Sequence, residues 1–227
     1  MHGTIAVLTG RGPACDELDA WLAAQPAEVT ILRLRTNQIA WARNECARRM
    51  VGDWILYVDA DCVPPAPALP TLLDRGLPLV GGVVVERRAP FEVCAVKSLE
   101  PFARLALEEL PDDGSTLPVP AIGTGCLLVR RRVFEVLPAP WFRCGQLPGA
   151  PDLLGEDLDF CLRAAAVGFP AHLDTAVRVG HEASVLLWPG QTGTLLAQWE
   201  DRQGGRVPYR DSLAGIAAIA RLTGAAA

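Results

Sequence analysis

Four places in the chain carry residues able to do chemistry. Asp59-Ala60-Asp61 follows directly on the largely apolar run Trp54-Ile55-Leu56-Tyr57-Val58. Two carboxylates one residue apart at a strand end, aimed alike by strand alternation, form one anionic patch that repels itself, and a divalent cation is the usual remedy. Gly155-Glu156-Asp157-Leu158-Asp159-Phe160 places acids in the first turn of a helix, where the dipole stabilises them. His181 follows Gly180 at the end of a strand-like run, where a neutral imidazole can join an aspartate on a metal. Gly123-Thr124-Gly125 lets backbone come close to a flat ligand. Taken singly, each has a plainer reading: a solvated loop, helix N-terminal charges, a surface or core histidine, a turn.

The elements that must position these residues are legible from periodicity. Thr4–Thr9 reads as a strand closed by Gly10-Arg11-Gly12-Pro13, Cys15–Gln25 as a helix, and Val29–Leu34 as a second strand. Asn37 is expected to cap a helix reaching Met50, with Ile39, Ala40, Cys46, Ala47 and Met50 inward and Gly52 closing it. Strand, helix, strand, helix, strand in some sixty residues is an α/β, nucleotide-binding type of start, and ligands of open α/β sheets gather at the carboxyl ends of strands. Downstream, the pattern predicts a helix at Ala66–Arg75 and a strand at Leu79–Glu86 interrupted by Gly81-Gly82. It continues with a strand near Phe91–Val96, a helix at Pro101–Leu110, a flexible loop at 111–116 and a turn plus strand at Pro120–Arg130. Helices at Arg131–Leu137 and Glu156–Val167 flank the long Pro- and Gly-rich segment 138–154, and a strand covers Ala171–Val179. The tail carries Leu186, Leu187, Trp188, Leu195, Leu196 and Trp199, then a final helix near Asp211–Leu222.

With 227 residues, half of them hydrophobic, the chain can bury a sizeable core and is most simply one domain, 1–227. A net charge of −5 without Lys/Arg blocks argues against nucleic-acid binding. The first residues enter a strand without a basic n-region, and no apolar run reaches the roughly 18 to 20 residues of a membrane span. Seven cysteines without a CxxC pair read as reduced thiols in a cytoplasmic protein, with neither a zinc site nor a disulfide framework.

Taken in order, these pieces resemble the GT-A glycosyltransferases of the family 2 type. The matching segments are Ala42-Arg43-Asn44, Tyr57-Val58-Asp59-Ala60-Asp61, Gly81-Gly82, Gly123 to Arg131, Pro140-Trp141-Phe142 and Gly155 to Cys161, spread over residues 4 to 181. The resemblance implies a GT-A domain, a Rossmann-like, mostly parallel sheet flanked by helices. It implies a nucleotide-diphosphate sugar, UDP- or GDP-linked, over residues 1–100, and an acceptor of unknown identity near 101–227. It also implies that Asp61, with Asp59 and His181, holds Mn²⁺ or Mg²⁺, and the imidazole favours Mn²⁺ because Mg²⁺ prefers all-oxygen ligands. Thr9, Arg11, Asn37, Arg43, Asp59, Ala60 and Asp61 would contact the donor, Gly125 and Trp141 the acceptor. Asp157, paired in sequence with Glu156, would be the general base of an inverting transfer. A homo-oligomer is compatible with this reading.

Three alternatives compete. A haloacid-dehalogenase-type phosphohydrolase would use Asp59 as nucleophile and Asp61 as acid, and needs a lysine, for which Lys97 is the one available. A sugar-nucleotide pyrophosphorylase would want lysines and a basic loop after the first strand. A non-catalytic nucleotide-sugar-binding module would use the Leu186–Trp199 tail for docking.

Overall fold

A computed structural model of the chain describes residues 2–10, 12–88, 91–146, 153–183, 186–189, 195–200 and 206–208. The N-terminal half runs β1 (Gly3–Thr9), α1 (Asp16–Ala23), β2 (Val29–Arg35), α2 (Ile39–Arg49), β3 (Trp54–Asp59), β4 (Cys62–Val63), α3 (Ala68–Asp74) and β5 (Leu79–Val83). There follow β6 (Ala95–Leu99), β7 (Phe102–Arg104), β8 (Thr116–Val119), β9 (Ala121–Ile122), β10 (Cys126–Arg130) and α4 (Arg131–Val136). A small ribbon of β11 (Gly145–Gln146) and β12 (Leu153–Leu154) precedes α5 (Glu156–Ala166), β13 (Ala171–Arg178) and β14 (Gly180–His181). The tail contributes β15 (Leu186–Pro189), β16 (Leu195–Glu200) and β17 (Arg206–Pro208), a separate antiparallel sheet.

The central sheet has the order β2-β1-β3-β10-β5-β13-β8. β1 pairs in parallel with β2 and β3, and β5 with β13. β10 runs antiparallel between β3 and β5, and β8 antiparallel at the edge. Five of the seven strands therefore point the same way, and Asp59 ends one of them. Strand alternation sorts the side chains cleanly onto two covered faces. Ile5, Val7, Trp54, Leu56 and Val58 pack with α1 and α3, whereas Ala6, Ile55 and Tyr57 pack with α2, α4 and α5. That explains why β3 reads as a continuous apolar run: both of its faces are buried.

Several expectations require correction. α2 is not capped by Asn37; it starts at Ile39, and the local turn is held by the Gln38 N–H donating to Thr36 Oγ1. Its inner face carries Ala42, Arg43, Asn44, Cys46 and Ala47, while Ile39 is half exposed. Pro101–Leu110 is not a helix but β7 followed by a single 3₁₀ turn, Leu107–Glu109. Its backbone is claimed by neighbours: Leu105 N–H donates to Ala95 O and Val93 N–H to Leu105 O, so cross-strand pairing overrides a local helical pattern. Phe91–Val96 is a strand only from Ala95 on. Gly81 and Gly82 admit no ligand but their own neighbours, since a Cβ would stand 2.7 Å from Cys126 O at one and 2.8 Å from Val177 O at the other. The final helix expected at Asp211–Leu222 lies outside the described residues.

Candidate active site

β3 stops at Asp59, and Ala60-Asp61 form a turn before β4. The two carboxylates therefore line one cleft through the turn, not through strand alternation, and each has its own cation. The cleft measures about 480 Å³ and is bordered by Gly10, Thr36, Asn37, Asp59, Ala60, Asp61 and Arg87. Asp61 Oδ2 accepts from Arg87 Nη1 at 2.8 Å, and Asp61 Oδ1 lies 3.6 Å from His181 Nε2.

His181 is carried to that corner by a two-residue bridge. β14 pairs with β4 in the register His181 to Cys62, and Glu182 N–H donates to Asp61 O at 2.8 Å. On the far side of the ring, Nδ1 sits 2.6 Å from Val85 O. A carbonyl can only accept, so Nδ1 carries a proton and Nε2 is the nitrogen that faces Asp61. This is the backing a ligating histidine needs. Burial works against a charged ring, but the Asp61 carboxylate and the Val85 carbonyl outweigh it and raise the His181 pKa. The His181 ring beside it leads in lowering that of Asp61.

The donor set fits a divalent cation. Two ligands each about 2.1 Å from one ion stand at most about 4 Å apart, and the 3.6 Å between Nε2 and Oδ1 lies inside that limit. The Cys62 sulfur shares the corner, with its ligand atom within 4.8 Å of those of Asp61 and His181. Burial pushes that thiol far up, and a hard divalent cation takes carboxylate and imidazole ligands before sulfur. Asp59 belongs to a different cluster.

That cluster is organised by Arg43, a charged residue on the inner stripe of α2 and 4 % exposed. Its Nη2 donates to Asp59 Oδ1 at 3.1 Å, and its Nη1 donates to Glu156 Oε1. Tyr57 Oη donates to the Arg43 carbonyl from the buried end of β3. One guanidinium thus ties the tip of β3 to the first residue of α5. Asp157, next along, turns Oδ1 onto the Leu158 N–H at 2.8 Å. Its Oδ2 looks across Gly123, where a Cβ would stand 3.7 Å from it and 3.2 Å from the Cβ of Cys94. Beyond Cys94 lies a second cleft of about 540 Å³, bordered by Glu86, Arg87, Arg88, Phe102, Arg104 and His181. Arg87 borders both clefts.

The remaining expected residues divide. Asn37 and Ala60 border the first cleft. Thr9 ends β1, its hydroxyl turned to the Leu34 carbonyl at 3.4 Å. Arg11 lies outside the described residues. Gly125 is a close-packing position: a Cβ there would meet Cys62 Sγ at 3.1 Å and Val84 at 3.4 Å, while its carbonyl accepts from Asp59 N–H. Trp141 lies on the end of α4, its indole N–H shared between the Phe134 and Leu137 carbonyls and its ring edge-on to Phe134. Lys97, which the phosphohydrolase alternative requires beside the aspartates, is paired instead with Glu109 at the surface. Arg87 and the bridging role of Arg43 were not anticipated. A charge falling on the apolar stripe of α2 was the available signal for Arg43; nothing in the sequence marks Arg87.

A mostly parallel sheet flanked by helices, with a carboxylate-tipped central strand, an imidazole beside it and an acidic helix start tied to the same corner, is an α/β fold of the GT-A type. The sequence profile of glycosyl transferase family 2 matches residues 15–137, more than half of the chain, and the chain belongs to that family. No curated protein matches it. Among solved structures, A197 from STIV superposes with a TM-score of 0.55 at 15% identity, over 86% of this chain and 93% of that one. GalNAc-T7, crystallised with UDP, GalNAc and Mn²⁺, gives a TM-score of 0.48 at 16% identity over 79% of this chain and 43% of that one. Among the described residues no helix is long and apolar enough to cross a membrane.

Proposed function

We propose that this glycosyltransferase moves a sugar from a nucleotide-diphosphate donor to an acceptor hydroxyl with inversion, and that Asp157 is the general base. The observation that carries the reading is the Arg43 clasp, which holds Asp59 and the start of α5 against one another. Donor-side and acceptor-side carboxylates then face a single reaction centre. Asn37, Ala60 and Asp61 would receive the nucleotide in the 480 Å³ cleft. Asp61 and His181 would hold Mn²⁺ or Mg²⁺, which when bound neutralises the charge developing on the departing diphosphate. Arg87, exposed and paired to Asp61 by a weak surface contact, can turn to the same phosphates at little cost.

In the transfer step the acceptor oxygen bonds to the anomeric carbon and gives its proton to Asp157. The bond from that carbon to the phosphate oxygen breaks, and its electron pair leaves with the nucleoside diphosphate. Base catalysis of this kind supplies about 10²–10⁴ in rate. Glu156 is engaged by Arg43 and serves to orient the helix start, so Asp157 is the carboxylate left for the proton. The test supplies Mn²⁺ with UDP- and GDP-sugars and follows thermal stabilisation, donor hydrolysis and transfer. Asp157→Asn is expected to bind nucleotide normally and lose transfer by about 10²-fold or more; unimpaired transfer in that variant would return Asp157 to a capping role.

A further inference from the structure

We propose that Arg87 couples cation and nucleotide: its guanidinium competes with the divalent ion for Asp61 until a diphosphate draws it away. The inference deepens the transferase reading above, on which the word nucleotide rests; the competition rests on the corner itself. Asp61 Oδ2 accepts from Arg87 Nη1 at 2.8 Å, while Oδ1 faces His181 Nε2 at 3.6 Å. One carboxylate thus serves a guanidinium on one oxygen and the candidate cation position on the other. A single negative charge cannot satisfy both fully, and an ion of charge +2 one carboxylate away from a guanidinium is repelled by it. At physiological salt that repulsion is worth about three- to tenfold in affinity.

The backbone keeps Arg87 at this corner and leaves its side chain room to turn. Val85 and Val93 form a bridge, and Glu86 N–H donates to Glu92 O at 2.9 Å. The Val85 carbonyl also accepts from His181 Nδ1, so the segment that carries Arg87 is the one that backs the candidate ligand. The Arg87 side chain is 56 % exposed, and an ion pair so open to water holds it only weakly. Arg87 borders the first cleft as well as the second. Of the charged residues described at the first, Asp59, Asp61 and Glu182 are acidic, Asp59 being matched by Arg43, and Arg87 is the one cation. A diphosphate entering there meets carboxylates that repel it, and its oxygens offer the Arg87 fork a bidentate, more highly charged partner than Asp61. Once the fork has moved onto phosphate, the whole Asp61 carboxylate is returned to the ion.

Free Mn²⁺ measured by electron paramagnetic resonance over the full chain, with and without UDP or GDP, tests this at constant ionic strength. Without nucleotide, Arg87→Gln is expected to bind Mn²⁺ about three- to tenfold tighter than the parent. With saturating Mn²⁺, calorimetry should find the same variant about tenfold weaker for the nucleotide. The opposite signs separate coupling from a damaged fold, which would weaken both. The factor by which nucleotide tightens Mn²⁺ should fall, and linkage requires the same fall in the factor by which Mn²⁺ tightens nucleotide. Arg87→Lys keeps the charge and should return Mn²⁺ affinity close to the parent value, with nucleotide affinity only partly restored for want of the planar fork. Mn²⁺ affinity in Arg87→Gln that is unchanged or lower without nucleotide, or nucleotide affinity equal to the parent, would overturn the proposal and leave the donor reading standing. If neither UDP nor GDP bound the parent chain, the donor reading would fall and the coupling with it, and tighter Mn²⁺ binding in Arg87→Gln would then support the competition at Asp61 alone.

Discussion

Replacing Arg43 by methionine tests whether one buried guanidinium holds the two halves of the site together. Methionine keeps most of the packing volume and removes the charge. Stripping a partner from a buried ion pair costs about 3–5 kcal/mol, because the abandoned charge stays desolvated. Here Asp59 is 37 % exposed and keeps much of its water, whereas Glu156 is only 18 % exposed, so the loss should fall near the lower end, about 3 kcal/mol. In urea, with a slope of about 2–3 kcal/mol/M, that lowers the unfolding midpoint by about 1–1.5 M with the slope unchanged. The decisive measurement is the double variant Arg43→Met/Glu156→Gln. Glu156→Gln alone should destabilise, but in the Arg43→Met background it removes an orphaned carboxylate and should recover about 1 kcal/mol. If Glu156→Gln cost the same in both backgrounds, the two side chains would be energetically independent and the clasp would be a coincidence of geometry.

Further consequences follow from the same physics. His181→Ala should weaken Mn²⁺ binding about tenfold or more while leaving the unfolding free energy of chelated protein within about 1 kcal/mol of the parent; a normal manganese titration would return the residue to structure. Arg75→Ala abandons Asp174, whose fully buried carboxylate accepts from Arg75 at 2.8 and 3.2 Å, and should cost about 3–5 kcal/mol in denaturant unfolding. In thiol labelling at pH 8, exposed Cys144 should react first. Cys94 should stay slow despite partial exposure, because burial pushes its thiol up to about 12, and rapid Cys94 labelling of folded protein would contradict that.

α2 shows where reading by pattern stops. Its stripe was expected to carry Ile39 and Ala40 inward, since apolar periodicity treats Arg and Asn as solvent-facing. Arg43 and Asn44 are inside because distant segments supply their partners. Asn44 Nδ2 donates to Phe142 O at 2.6 Å, and its Oδ1 accepts from the Trp141 and Phe142 N–H groups at 2.8 and 3.1 Å. A buried polar side chain is paid for by hydrogen bonds that no local window contains. Pro101–Leu110 failed for the related reason that backbone pairing with residues 93–95 outbids a weak helical tendency.

The amino-acid order by itself determined the alternation of strands and helices, the doubly buried third strand and the aspartates at its tip. These follow from side-chain periodicity and turn chemistry, which act within a few residues. Which carboxylate pairs with which cation was decided by tertiary structure alone: Asp59 with Arg43, Asp61 with Arg87 and His181. Those contacts join residues 16 to 120 positions apart, and electrostatics depends on distance in space, which the linear chain does not encode until it folds.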